Sequence, residues 1–121
     1  MNTLTLPFHN KRLPIATDEI IKLEASGNYT LFYLTNGRQI LTSKSLSVYE
    51  ELLSFPFVRV HKSCLININY VTQRATPTIL SLADGTEIHV ARRRKATVTQ
   101  YLRYKRKPRT VKASTVAKTA A

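Results

Sequence analysis

The sequence specifies a mainly β domain of antiparallel hairpins with one or two short helices. Asn36-Gly37 and Asp84-Gly85 each lie between runs rich in β-branched, aromatic and leucine residues, and both pairs tolerate the positive φ that a tight hairpin turn demands. The stretch Phe55 to Asn67 holds two apolar runs split by His61-Lys62-Ser63, the pattern of a strand that leaves the core, exposes a short loop and returns. Helical spacing occurs only around residues 46–53 and 98–104. Consecutive short strands of this kind make antiparallel sheet rather than alternating βαβ units. No internal repeat of fixed period is present.

Taken in order, residues 1–12 form an N-terminal extension that either pairs as an edge or trails loosely. Leu13-Pro14-Ile15-Ala16 is a short extended piece whose proline argues for an edge position. Ile20 to Ala25 alternates well enough for a strand, Ser26-Gly27-Asn28 supplies turn chemistry, and Tyr29 to Leu34 is a second strand. Arg38 to Thr42 returns from the Asn36-Gly37 turn. From Ser43 the period changes: Leu46, Tyr49, Leu52 and Leu53 fall on one helical face, with Glu50-Glu51 as a solvated face and Ser43 or Ser45 as the cap. Ile68 to Val71 reads equally as a helical turn or a short extended piece. Thr78 to Leu82 and Glu87 to Val90 flank the Asp84-Gly85 turn, and Val98, Tyr101, Leu102 and Tyr104 recur at helical spacing. Lys105 to Ala121 mixes Lys, Arg, Thr and Ala without an apolar face and reads as a disordered basic tail. The folded domain is therefore expected over residues 13–104.

At 121 residues and 43% hydrophobic content, the chain has the size of one domain able to bury its own core. No apolar run approaches the roughly 20 residues that span a bilayer, no signal pattern opens the chain, and the single Cys64 fits a reducing compartment. A cytoplasmic location is the expectation. The net charge of +12 is far beyond what solubility needs. Residues 1–90 hold eight Lys and Arg against all seven Asp and Glu, whereas residues 91–121 hold the other eleven Lys and Arg and no acid. So lopsided an excess points to a polyanion, nucleic acid before an acidic membrane, because the basic segment lacks a broad apolar face.

Catalytic patterns are weak. His61 and Cys64 are three apart, but a Cys-His dyad needs both facing one another with a third orienting group, and Cys64 sits among core residues. His9, His61 and His89 show no metal-ligand spacing, and the three isolated glycines form no phosphate loop. An enzyme, a metal and a cofactor are not expected. Binding patterns are stronger, since three polar or cationic clusters sit where a strand hands over to a loop or helix: Gly27-Asn28-Tyr29, His61-Lys62-Ser63 and Arg92-Arg93-Arg94-Lys95. His61 and Ser63 donate or accept and Lys62 is a fixed cation, so this loop suits a base edge and a phosphate together. A surface turn whose His and Ser bond nearby backbone accounts for it equally well. Four cations opening a helix oppose its dipole and cost stability unless an anion is present.

The order of these motifs resembles the LytTR family of bacterial DNA-binding domains. The resemblance runs through Ile21 to Ala25 with Gly27-Asn28-Tyr29, then Ser45-Leu46. It continues through Phe57-Val58-Arg59-Val60-His61-Lys62-Ser63 to Leu65-Ile66-Asn67, and ends at Ile88 to Arg93. It implies an elongated mainly β fold that binds double-stranded DNA at promoters, with loops at the sheet edge entering successive major grooves. Carried over, Asn28, Tyr29 and Arg93 or Arg92 meet base edges, His61 and Lys62 serve bases or phosphates, and Lys44, Ser63 and Lys95 grip phosphates, while Asn67 bonds backbone and holds the loop. Ala91 stands where the family usually has Ser, which removes a hydroxyl contact and loosens the register of the arginines. The family commonly carries a receiver or membrane-sensor domain for which this chain has no room, so two expectations stand: a stand-alone DNA binder controlled by its abundance or by a partner such as a separate sensor or receiver protein, or an output fragment. In either case tandem or dimeric binding on DNA is a further implied partnership. The competing expectations are a nonspecific RNA or DNA binder and a protein-interaction module that uses the sheet edge.

Overall fold

A computed structural model describes residues 3–8 and 11–106. Ten strands and two α-helices follow one another as β1 (Thr3–Phe8), β2 (Lys11–Ala16), β3 (Ile20–Ser26), β4 (Tyr29–Leu34), β5 (Gln39–Thr42), α1 (Leu46–Leu52), β6 (Phe57–His61), β7 (Cys64–Asn67), β8 (Val71–Thr76), β9 (Ile79–Leu82), β10 (Glu87–His89) and α2 (Lys95–Arg103). They form a two-stranded sheet β1-β2, a five-stranded sheet in the order β5-β4-β3-β7-β6, and a three-stranded sheet β10-β9-β8. Every pairing is antiparallel, as the hairpin signals predict.

The five-stranded sheet is the middle layer, buried on both faces. One face carries Ile21, Val58, Val60, Cys64 and Ile66 against the three-stranded sheet and α2, with Val98 fully buried. The other carries Ile20, Leu23, Phe32, Ile40 and Leu65 against α1 and the β1-β2 hairpin. Double burial explains why β7 carries the unbroken apolar run Cys64-Leu65-Ile66 rather than a clean alternation. Ile20 and Leu23 share a face although three residues apart, an odd spacing that the register shift between Ile20 and Lys22 permits.

Several expectations are corrected or settled. Of the two possibilities for residues 1–12, pairing wins: β1 lies along β2 in register from Thr3 opposite Ala16 to Phe8 opposite Lys11, and Leu6 is fully buried. Ile68–Tyr70 is a 3-10 turn, and Val71–Thr76 after it is a strand that polarity concealed. In α1 only Leu46 and Tyr49 are buried, joined by Leu53 just past its end; Leu52 points outward at 58% exposure, because a true 3.6-residue period carries it off the face. Ser45 occupies the cap position without a side-chain cap bond. Glu50 is no simple solvated face, since its carboxylate meets Arg59 and Arg94. The expected basic tail falls outside the described residues except for Lys105 and Arg106, which are exposed. No helix among the described residues is long and apolar enough to cross a membrane.

Candidate nucleic-acid interface

Three connections emerge at one end of the five-stranded sheet. The β3-β4 turn holds Asn28, with Gly27 at φ +62° making the reversal. Antiparallel pairing of β3 with β7, Glu24 opposite Cys64, brings the β6-β7 turn to the same end, and the Ala25 amide donates to the Ser63 carbonyl at 2.9 Å. On the other side β5 ends at Thr42 beside Thr30, and the buried Thr30 hydroxyl donates to the Lys44 carbonyl at 2.8 Å. Tyr49 of α1 reaches up to donate to the Thr42 hydroxyl at 2.8 Å, so the segment leading to Lys44 is held from below. Strands stand about 4.8 Å apart, which makes this rim roughly 20 Å wide.

Beyond β6, the Ala91 amide donates to the Val60 carbonyl at 2.8 Å. That bond seats the Arg92–Arg94 3-10 turn beside His61 and joins the third cluster to the rim. Arg92 and Arg93 are exposed, Lys95 is half-buried, and all three border a concavity with Arg74 and Thr76 from the three-stranded sheet. Arg94 instead turns toward Glu50, 4.0 Å away, which offsets part of the charge stacked at the start of α2. Asn28, Tyr29, Lys44 and Lys62 are likewise exposed, and His61 and Ser63 are half-buried. All nine sequence-predicted site residues therefore lie along this rim or on the Arg92–Lys95 turn that continues it.

The central turn is rigidly built. His61 Nδ1 accepts the Ser63 amide at 3.1 Å, so the bland reading of this loop is true of that nitrogen. Burial pushes the imidazole pKa down, with His89, Arg59 and Arg94 adding to the effect against Glu24. The neutral tautomer that results carries its proton on Nε2. Arg59 is the residue that sequence reasoning left without a role. Its Nε donates to the His61 carbonyl at 3.1 Å, one terminal nitrogen donates to the Lys62 carbonyl, and the other meets Glu50. The available signal was an Arg between two buried valines, two residues ahead of a polar turn: on a strand that position faces away from them.

Asn67 bonds backbone as expected, but at the far end of β7. Its Nδ2 donates to the Ile20 carbonyl at 3.0 Å and its Oδ1 accepts the Asn69 amide, so it holds the 68–70 turn and not the His61 loop. Cys64 is buried, and burial, with Glu24 adding to it, raises its thiol pKa to about 12. Such a thiol stays protonated and is no nucleophile. No group of three or more His, Cys, Asp or Glu among the described residues is placed to hold a metal. Behind the rim, Lys22 is buried 3.4 Å from Glu24, lies over the Tyr33 ring and donates to Thr86, tying the middle sheet to the β9-β10 turn. Burial and the bond to Glu24 both raise the Tyr33 pKa.

A family model for the LytTr DNA-binding domain matches residues 10–103. Among solved structures the fold is similar to a LytTr DNA-binding domain from Bacillus cereus, described as part of a response regulator. The TM-score is 0.69 at 22% identity, over 84% of this chain and 97% of that one. No curated protein matches the chain significantly.

Proposed function

The chain belongs to the LytTr DNA-binding domain family, and from that premise we propose that it is a sequence-specific transcription regulator reading double-stranded DNA at promoters. The observation that carries the reading is the convergence of the strand-end clusters on one rim, with exposed Asn28, Tyr29, Lys44, Lys62, Arg92 and Arg93 and no carboxylate among the residues of these turns. In this reading the turns enter the major groove. Asn28, Tyr29 and Arg93 or Arg92 meet base edges, where an arginine can bind guanine O6 and N7 together. His61 donates its Nε2–H to a purine acceptor, and Lys62 serves base or phosphate. Lys44, Ser63 and Lys95 grip phosphates and set register. Ala91 supplies no hydroxyl, but its amide still anchors the arginine turn through Val60. Two copies on tandem half-sites, and control by a separate receiver or sensor protein in the cytoplasm, complete the proposal.

The test is selection of bound sequences from a random duplex library with the whole chain at physiological salt. An enriched motif, repeated near one helical turn, is expected. Binding without enrichment, or retention of RNA with loss of duplex, would sink it. Arg93→Ala should relax base preference at its position and cost about 1–3 kcal/mol on the selected site. Equal weakening on every sequence would reassign Arg93 to the phosphates.

A further inference from the structure

The rim does not stop at β5. The β1-β2 hairpin packs beside β5, and Lys11 and Arg12 at the start of β2 are exposed. With Tyr29, Leu41, Ser43 and Lys44 they line an open groove of about 750 Å3. None of the groove's lining residues is acidic. Three cations around one solvent-open groove repel one another, an arrangement that a docked anion relieves and that nothing in the groove itself offsets. Tyr29 and Leu41 are each about half exposed, at 50% and 49%, and give the groove an apolar wall between its cations. That combination suits a sugar-phosphate strand, whose deoxyribose faces are apolar and whose phosphates are singly charged and regularly spaced.

We infer that Lys11 and Arg12, acting with Lys44 across this groove, form a second backbone-binding site that grips the duplex on the flank beyond the base-reading loops. The inference rests on the duplex-binding reading given above. It adds two contacts that lie outside the strand-end clusters, on a hairpin whose first strand carries no cation. The site reads no bases: its cations are on strand and loop positions beside the sheet, and the partner it takes is the DNA backbone of any sequence.

The test compares the whole chain with Lys11→Ala/Arg12→Ala, and with Arg38→Ala/Arg106→Ala as a control. The control removes the same charge from the opposite end, where Arg38 follows the β4-β5 turn and the Arg106 amide bonds Asn69. All four residues are exposed, so both variants should fold, which circular dichroism checks. On a duplex carrying the selected site with long flanks, loss of two phosphate contacts should reduce the salt slope of log K by about 2. The hydroxyl-radical footprint should shorten on one side, and base preference should be unchanged. The control should keep both slope and footprint. An equal drop in the control would make the effect one of net charge and overturn the groove site. So would an unchanged slope and footprint in the groove variant, or altered base preference. If Arg93→Ala still loses preference in that case, the loop reading stands without the groove. A wild-type chain that fails to bind duplex overturns the loop reading first.

Discussion

Arg59 makes the sharpest test of how the rim is held. Replacing it with methionine keeps an aliphatic stem on the face of β6 turned away from Val58 and Val60 and removes the guanidinium, with its bonds to the His61 and Lys62 carbonyls and to Glu50. The two carbonyls belong to a surface turn and can take water, so each lost bond should cost near the net value of about 1 kcal/mol rather than that of an orphaned buried group. Glu50 is 42% exposed against 13% for Arg59, and water screens the pair to about 0.5–1 kcal/mol. The total is about 2–3 kcal/mol. At about 4 °C per kcal/mol for a domain of this size, melting should fall by roughly 10 °C.

Thermal and urea unfolding read the stability, and fluorescence anisotropy on the selected duplex, at a temperature where both proteins are folded, reads the binding. Binding should weaken about tenfold, or 1.4 kcal/mol, because the His61-Lys62-Ser63 turn must then be ordered on contact. Arg59→Lys should recover less than half of the stability, since one ammonium cannot bridge two carbonyls and a carboxylate. A methionine variant within 0.5 kcal/mol of wild type would refute the clamp. Intact stability with lost binding would mean that Arg59 itself touches DNA.

Three further outcomes follow from the geometry. His61 is held below its ordinary pKa of about 6.5, so as pH falls the unfolded chain takes the proton first; its contribution is whole above about 6.5 and lost below it. His61→Gln should therefore flatten the drop in urea midpoint between pH 7.5 and 5.5, and an unchanged drop would assign it to other groups. Leu6→Ala removes a fully buried side chain contributed by the hairpin, and should cost about 2–5 kcal/mol in denaturant unfolding; a value under 1 would show the hairpin to be dispensable to the core. Gly27→Ala meets no neighbour but is held at φ +62°, so it should cost about 1–2 kcal/mol from backbone strain alone, and Gly27→Asn less.

The two hairpin turns were legible because Asn36-Gly37 and Asp84-Gly85 carry their conformational requirement in their own residues. β8 was not, since its Thr72, Gln73, Ala75 and Thr76 are all exposed and only Val71 is buried. An outer strand with so little buried surface leaves no apolar period to read. β1 was obscured in the same way, with Leu6 the one fully buried residue among Thr3 to Pro7 and Pro7 weakening the strand signal. Leu52 and Leu53 are adjacent and chemically alike; the helical period turns Leu52 outward, and the chain's exit from α1 turns Leu53 in.

The clusters of the candidate site were legible in the residues and their sharing of one sheet edge was an expectation, but the pairing that brings them together was not legible. β3 runs toward the rim and β4 away from it, so the Asn28 turn lies at that end whatever else the sheet does. The His61-Lys62-Ser63 turn joins it only because β3 pairs with β7, Lys22 opposite Ile66 and Leu23 opposite Leu65. Had β3 taken β6 as its antiparallel neighbour, the turn after β6 would sit at the opposite end, some four or five residues of strand away, and no duplex could meet both turns along one edge. Val58 and Val60 match Leu65 and Ile66 in apolar character, so side-chain type does not distinguish the two neighbours. What favours β7 is that β6 must also carry Arg59 outward to the turn and present the Val60 carbonyl to Ala91. The second demand requires β6 to lie at the sheet's edge, where the Val60 carbonyl has no strand partner and the Arg92 turn can reach it. The edge position of β6 and the convergence of the rim are thus one structural choice, and the arginine cluster is attached to the loops through it.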